Sequence, residues 1–470
     1  MKKQFTFISV LLAVSLVFVF SGCGGKKTEV GVDDAVELLE KMSRTPLGVT
    51  YKADPANIKI EPTAKGSIIT LSEPEITFDT AIYKELGMGN LFKQEKIPVK
   101  VKQLDLLYDP AKEYLEVLSL KDFSVDWDFT QREINSILKI RAQEMSFEDY
   151  NMSSLLDDKA KNFIEILMEL IKQNPTIRSS IKGLNYEMIS PVKSNRFSFL
   201  LSAEEMEWLQ TGDPTPFLAL FQKESDVSID FAGILAGGSP VLDIQGHFRG
   251  LRFSVKEDGK ELGTGKIAQS KFQYFLKPDK KKEFFTYAFS WDLESMVTSA
   301  SGKDKKLIES LGNIKSLNMN FAFDHMTPAF IQAYFDLIRG NMALFSSGDE
   351  KKMNQVDPNE VMKIVGEMGK SKPIISYSMA PLKHYFGSME AEANFQFQGM
   401  GTPVGKATVR IHNMDEVLKK MKDELSLQES VMASMQGLFV KDSKGDGVLT
   451  FEIKNEPAPG LYLNGQPMQL

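Results

Sequence analysis

The sequence predicts an α+β protein: a long, mostly antiparallel sheet, expected to curve, with amphipathic helices on one face or at its ends. Three observations predict it. Apolar and polar residues alternate with period two in segment after segment from Asn57 to the carboxyl terminus, the mark of half-buried antiparallel strands. Those segments are too polar at alternate positions for a parallel sheet covered on both faces. Between them lie stretches with apolar residues at helical spacing and with start and stop signals.

The chain opens Met1-Lys2-Lys3 and then runs apolar from Phe5 to Phe20. A membrane span needs about 20 apolar residues; a basic start and a shorter apolar run read as an export leader. The leader ends Phe20-Ser21-Gly22-Cys23. Small residues before a cysteine resemble the lipobox of bacterial lipoproteins, with Phe20 where leucine is commonest. The alternative is an uncleaved anchor helix. The resemblance implies cleavage before Cys23, a diacylglycerol thioether on its sulfur, and an acyl chain such as palmitate on its amino group. Acyl chains contribute about 0.8 kcal/mol per buried CH₂, and two or more hold a protein stably on a bilayer. The expected divisions are a signal peptide over 1–22, a tether over 23–32, a main α+β body over 33–345, and a carboxyl-terminal α+β module over 346–470, separate from or continuous with the body. Gly24 stands where aspartate signals inner-membrane retention, which favours the outer membrane, facing the periplasm, in a Gram-negative host.

Cys23 is the only cysteine, so thiol catalysis and disulfides are excluded from the mature body. Stability must come from its core, and 42% hydrophobic residues supply one. The formal net charge of −7 argues against nucleic-acid binding. The densest basic run, Lys280-Lys281-Lys282, lies between two aromatic segments and reads as a hairpin loop.

Strands are expected in order from "NIKIEP" and "SIITLSEPEITFD" through "IPVKVKQLDLLYD", "YLEVLSLKDFSVDWD", "RFSFLLS", "DVSIDFAGIL", "VLDIQGHFRGLRFSVKE", "KFQYFLK", "FFTYAFSWD", "SLNMNFAFD", "IISYSMA", "SMEAEANFQFQG" and "KATVRIH" to "GVLTFEIKN". Helices are expected at "AVELLEKM", across "SSLLDDKAKNFIEILMELIKQN", at "TPAFIQAYFDLIRG" from Thr327 to Gly340, and at "DPNEVMKIVGEM" and "NMDEVLKKMKDEL". Residues 345–360 are the best linker candidate. Five segments read as strand, polar cap and helix: "FSVDWDFTQREINSIL", "FSFLLSAEEMEWL", "FSWDLESMV", "NFAFDHMTPAFIQAYF" and "TVRIHNMDEVLKKM". Their irregular spacing excludes a solenoid and leaves a diverged duplication open.

No catalytic signature survives inspection. Gly237-Gly238-Ser239-Pro240-Val241 lacks the final glycine of a nucleophile elbow. His247, His325, His384 and His412 share no metal-binding spacing. Asp442 to Asp446 begins like a calcium loop, but Lys444 and Ile453 occupy ligand positions, so a turn into a strand is expected. No cofactor and no metal is expected.

The carboxyl-terminal segment, with Leu463, Asn464, Gly465 and Pro467 in its last turn, resembles the end of the YdgA-like family of bacterial envelope proteins. The family's function is not established, and its members have a membrane-spanning amino-terminal anchor. The resemblance covers about the last 70 residues and implies an envelope location and a strand-rich architecture.

The expected function is therefore that of a membrane-anchored envelope lipoprotein without catalytic activity, binding a partner protein or an apolar ligand such as lipid. Phe272, Tyr274, Phe275, Phe284, Phe285, Tyr287 and Phe289 are the candidate ligand-facing residues, on two neighbouring strands with aromatics on both faces. A hydrolase acting on envelope polysaccharide or peptide is the alternative, through carboxylates that meet only in the fold.

Overall fold

The computed structural model describes residues 30–44, 48–81, 94–131, 134–153, 173–192, 195–212, 229–302, 305–347, 357–398, 402–425, 429–455 and 460–468. Cys23, the expected leader, residues 154–172 of the expected helix and most of the linker candidate lie outside them. Among the described residues strand makes up 61% and helix 21%, so the α+β class holds and the sheet carries most of the architecture. The chain divides into two units. The first holds residues up to 210 together with 248–264; the second holds 211–247 and 265–470. The boundary expected at 345/346 falls inside a helix of the second unit. In each unit the sheet is open and uncurled, where the sequence reading expected curvature.

In the first unit, helix α1 (Val32–Ser43) precedes strands β1 (Val49–Lys52), β2 (Ile58–Thr63), β3 (Gly66–Ser72), β4 (Glu75–Asp79), β5 (Lys96–Lys100) and β6 (Gln103–Asp109). Four long strands follow: β7 (Tyr114–Gln131), β8 (Ile134–Glu148), β9 (Thr176–Val192) and β10 (Asn195–Thr211). The sheet forks at β7. One edge of β7 takes β6 along Tyr114–Lys121 and then β5 at Ser124 and Val125. One branch continues from β6 to β3 and β2; the other runs from β5 to β4 and β1. Helix α1 packs against both terminal strands, β1 and β2. Its Leu38, Leu39 and Met42 are buried, as are Leu71 of β3, Phe78 of β4, Val99 of β5 and Leu104 of β6. Gly66 is required where the branches are tight: with φ +144°, a Cβ there would lie 2.6 Å from the Tyr108 carbonyl oxygen.

Strands β11 (Leu242–Glu257) and β12 (Lys260–Pro278) contribute residues to both units. The second unit adds β13 (Phe285–Ala300), β14 (Ile314–Met326), β15 (Ile374–His384), β16 (Ser388–Gln398), β17 (Thr402–His412), β18 (Val440–Lys441), β19 (Gly447–Lys454), β20 (Gly460–Leu463) and β21 (Gln466–Pro467). From β13 to β17 each strand pairs antiparallel with the next, and β17 then pairs with β19. Its helices are α2 (Phe231–Gly237), α3 (Lys305–Gly312), α4 (Pro328–Ser347), α5 (Pro358–Ser371), α6 (Met414–Leu425) and α7 (Glu429–Leu438).

Several expectations change. Residues 231–235, expected within the strand "DVSIDFAGIL", form α2 together with Ala236 and Gly237. Asp230 caps it by accepting the Gly233 amide, and Gly238 ends it at φ +75°. Ser239 therefore follows a helix end and is no nucleophile elbow. The helices expected after "FSVDWDF", "FSFLLS" and "FSWD" are strand: their described residues lie in β7 and β8, β10 and β13, with Arg132 and Glu133 outside the described residues. In β10 the run Met206-Glu207-Trp208 alternates with period two, and pairing in a sheet overrides the helical propensity of the glutamates. Helix α4 runs through Gly340 to Ser347 instead of stopping there. Lys280–Lys282 do form the β12–β13 turn, where the Lys282 ammonium reaches the Ala236 and Gly237 carbonyls at the end of α2.

Candidate functional site

Residues paired directly across antiparallel strands point to the same face, so the register of the second unit fixes which side chains line up. One row reads Phe289, Phe321, Tyr377, Ala393, Ala407 and Phe451 from β13 to β19. The next reads Trp291, Met319, Met379, Ala391, Val409 and Leu449. One residue over, on the opposite face, the row is Ser290, Asn320, Ser378, Glu392, Thr408 and Thr450. The sheet is apolar on one face and polar on the other.

The two ends of the apolar face are closed by helices. At one end α2, α4 and α5 meet the sheet in a cluster of Phe231, Leu235, Leu276, Phe285, Met326, Phe330 and Phe335, with Tyr287 and Phe323 packed against it. Its rings meet edge to face, with Phe231 6.2 Å from Phe285 and 5.2 Å from Phe335. At the other end α6 and α7 close over Ile411 and Phe386 with Met414, Val417, Leu418 and Met432; Met389, Met421 and Met435 pack beside them. The two apolar rows lie between these clusters. Their side chains are half-buried except Met379, which is buried. This band is the candidate site.

Polar groups enter the band at defined points. Trp291 donates its ring N–H to the Ser270 hydroxyl at 2.8 Å, and Ser270 is buried. Tyr274 meets Tyr287 edge to face at 5.1 Å. Burial, followed by the neighbouring Tyr287 hydroxyl, pushes the Tyr274 phenol up; burial and Tyr287 do the same to Tyr334 of α4. These phenols stay neutral at physiological pH and act as hydrogen-bonding groups at the aromatic end of the band.

The sequence candidates divide. Phe272 and Tyr274, by alternation along β12, and Phe285, Tyr287 and Phe289, along β13, belong to the apolar face; Phe285 is fully buried in the aromatic cluster. Phe275 alternates to the other face, with the Lys277 ammonium 3.9 Å from its ring centre. Phe284 lies before β13, its ring centre 4.9 Å from that of His325 and tilted 50° to it. The expectation of an apolar lining on both faces is thus replaced by one apolar face. Phe321, Tyr377 and Phe451 were missed, because alternation marks each strand as amphipathic but does not say which strands are neighbours.

A polar cluster at the β17 end is the other concentration of titratable groups. Arg410 contacts Glu390 at 3.3 Å, Asp442 at 2.5 Å and Asp446 at 3.4 Å, and His412 lies 3.0 Å from Asp446. Asp446 accepts the Asn413 amide, and Asp442 accepts the Lys444 and Asp446 amides. The carboxylates are occupied in tying β17 and α6 to the loop before β19. That loop is a turn into a strand, as its sequence indicates. Among the described residues no group of three metal-ligating side chains is assembled and no helix is long and apolar enough to cross a membrane. Comparison with family models, with curated proteins and with solved structures found no match.

Proposed function

We propose that this protein is a membrane-anchored bacterial envelope lipoprotein with a binding role, held to the bilayer through Cys23, and that the apolar band of its second unit receives an apolar ligand such as a lipid acyl chain. The observation that carries the reading is the pair of apolar rows crossing six paired strands while helices gather at the two ends. Apolar surface of that extent left half-exposed favours association with another apolar surface by about 25 cal/mol per Å². The leader, the lipobox and the resemblance to an envelope family support the location.

The test is direct. Residues 26–470 are exported without the anchor, purified without detergent and extracted with organic solvent for mass spectrometry. A phospholipid or other apolar species at a fixed stoichiometry, missing from a control exported protein, is the expected result. A ligand-free protein that also fails to acquire lipid from vesicles contradicts the proposal.

A further inference from the structure

The long strands of the first unit share a feature that the strand–helix grammar of the sequence does not contain. Ser119-Leu120-Lys121-Asp122-Phe123 on β7 and Ser180-Ile181-Lys182-Gly183-Leu184 on β9 align without a gap, 61 residues apart, identical at the serine and the lysine and apolar together at the second and fifth positions. Ala142-Gln143-Glu144-Met145-Ser146-Phe147 on β8 and Ala203-Glu204-Glu205-Met206-Glu207-Trp208 on β10 also align without a gap, again 61 residues apart. A partial third copy follows on β11 as Phe248-Arg249-Gly250-Leu251, where Gly250 lies 67 residues beyond Gly183.

The structure repeats with the sequence. Asp122, Gly183 and Gly250 all adopt the left-handed conformation in mid-strand, with φ of 49°, 62° and 62°. Such a residue interrupts the extended backbone inside a strand, and three fall at matched positions of alternate strands. Each is preceded by a base that reaches an acid on the preceding strand: Lys121 to Asp105 at 3.9 Å, Lys182 to Glu144 at 3.0 Å, and Arg249 to Glu205 at 2.5 Å. Glu144 and Glu205 are matched positions of the repeat. The residue before each of them also does the same thing. The Gln143 side chain lies over Gly183, and the Glu204 side chain lies over Gly250, each within 2.6 Å of where a Cβ would stand. The β8–β9 and β10–β11 junctions are therefore the same junction built twice.

We infer that the β7–β8 and β9–β10 hairpins are tandem copies of one module, with a third begun at β11, and that the junctions between copies are interchangeable. The module runs from one left-handed position to the next, as residues 122–182. Each copy sets apolar residues on the same face at the same register: Val125 and Trp127 in the first, Tyr186 and Met188 in the second. Copying the module lengthens the sheet by two strands, about 10 Å, without changing the chemistry of its faces. The inference stands on the first unit alone and does not depend on a ligand.

The test changes the number of modules in the full exported chain. Deleting residues 122–182 joins Lys121 to Gly183 and lets Lys121 meet Glu205 in place of Glu144. Inserting a second copy of 122–182 after Lys182 rebuilds the same joints. The controls are deletion of 122–181 and insertion of a copy one residue shorter, which flip every following side chain of the strand to the other face. Both register-preserving variants are expected to be monomeric, with the parent's far-ultraviolet spectrum per residue. Their unfolding is expected to be cooperative, within about 10 °C of the parent's midpoint, while the one-residue controls aggregate or lose the transition. The inference is overturned if neither register-preserving variant is better folded than its control.

Discussion

The two helical ends of the second unit close the same apolar face with different materials. One end is aromatic: Phe231, Phe285, Phe330 and Phe335 interlock edge to face around Leu276 and Met326. The other is rich in methionine, with Met414 and Met432 at its centre and Met389, Met421 and Met435 beside them. Rings fix their neighbours' positions, because edge-to-face contact is directional. Unbranched thioethers fill the space they are given and refill it when it changes. The aromatic end, with the Tyr274 and Tyr287 rings edge to face at its margin, is the rigid stop of the band; the methionine end is the part able to repack.

The largest expected contrast comes from single core substitutions, a truncation at the aromatic end and a volume-conserving exchange at the methionine end. Phe285→Ala empties a fully buried site among fixed rings, and a loss of about 3–5 kcal/mol is expected in chemical denaturation. Met414→Leu, equally buried at the other end, is expected to cost less than about 1.5 kcal/mol, because a volume-conserving exchange repacks among thioethers. Equal losses at the two sites would erase the distinction. A smaller effect tests the helix that closes the aromatic end. Asp357 caps α5 by accepting the Asn359 amide, and Ile364 and Met368 of α5 pack on the cluster. Asp357→Ala is expected to lower stability by about 1 kcal/mol.

Acid acts through the methionine end. The Asn413 amide first, then His412 and Arg410, hold the Asp446 carboxyl below the usual carboxylate range; the Lys444 amide and Arg410 do the same for Asp442. A carboxylate lowered in the folded state stabilises fully above its unfolded pKa of about 3.9 and loses that contribution as the pH falls through its folded value. The fraction of α6 amides open to hydrogen exchange, after correction for the intrinsic rate, is therefore expected to rise below about pH 4. Asp446→Asn, which keeps an acceptor but cannot titrate, is expected to flatten that rise. An unchanged acid profile in the variant would remove Asp446 as the cause.

Much of this fold was written in the sequence, and the missing parts share a reason. Alternation in "SLNMNFAFD" and "KATVRIH" located β14 and β17, and Thr327-Pro328 and Asp357-Pro358 located the starts of α4 and α5. Glutamate-rich "AEEMEW" was misjudged as helix because its local propensity is helical, whereas its place is decided by pairing with strands far along the chain. Phe231 to Leu235 went in the opposite direction, since the seven-residue helix they open has too little periodicity to declare itself. Of the band, the sequence showed its β12 and β13 aromatics but not their partners on β14 to β19. Register is a property of two strands, and one strand's pattern contains only half of it.

The most direct measurement uses Trp291, which lies in the band, and Trp127, buried in the first unit at 3% exposure. In a variant carrying Trp127→Phe and Trp208→Phe, only Trp291 fluoresces. Titration with a fatty acid brominated along its chain is expected to quench it saturably, at near one equivalent. A companion variant retaining only Trp127 is expected to stay bright. Quenching of neither tryptophan, or of both alike, would contradict an acyl-binding band on the second unit.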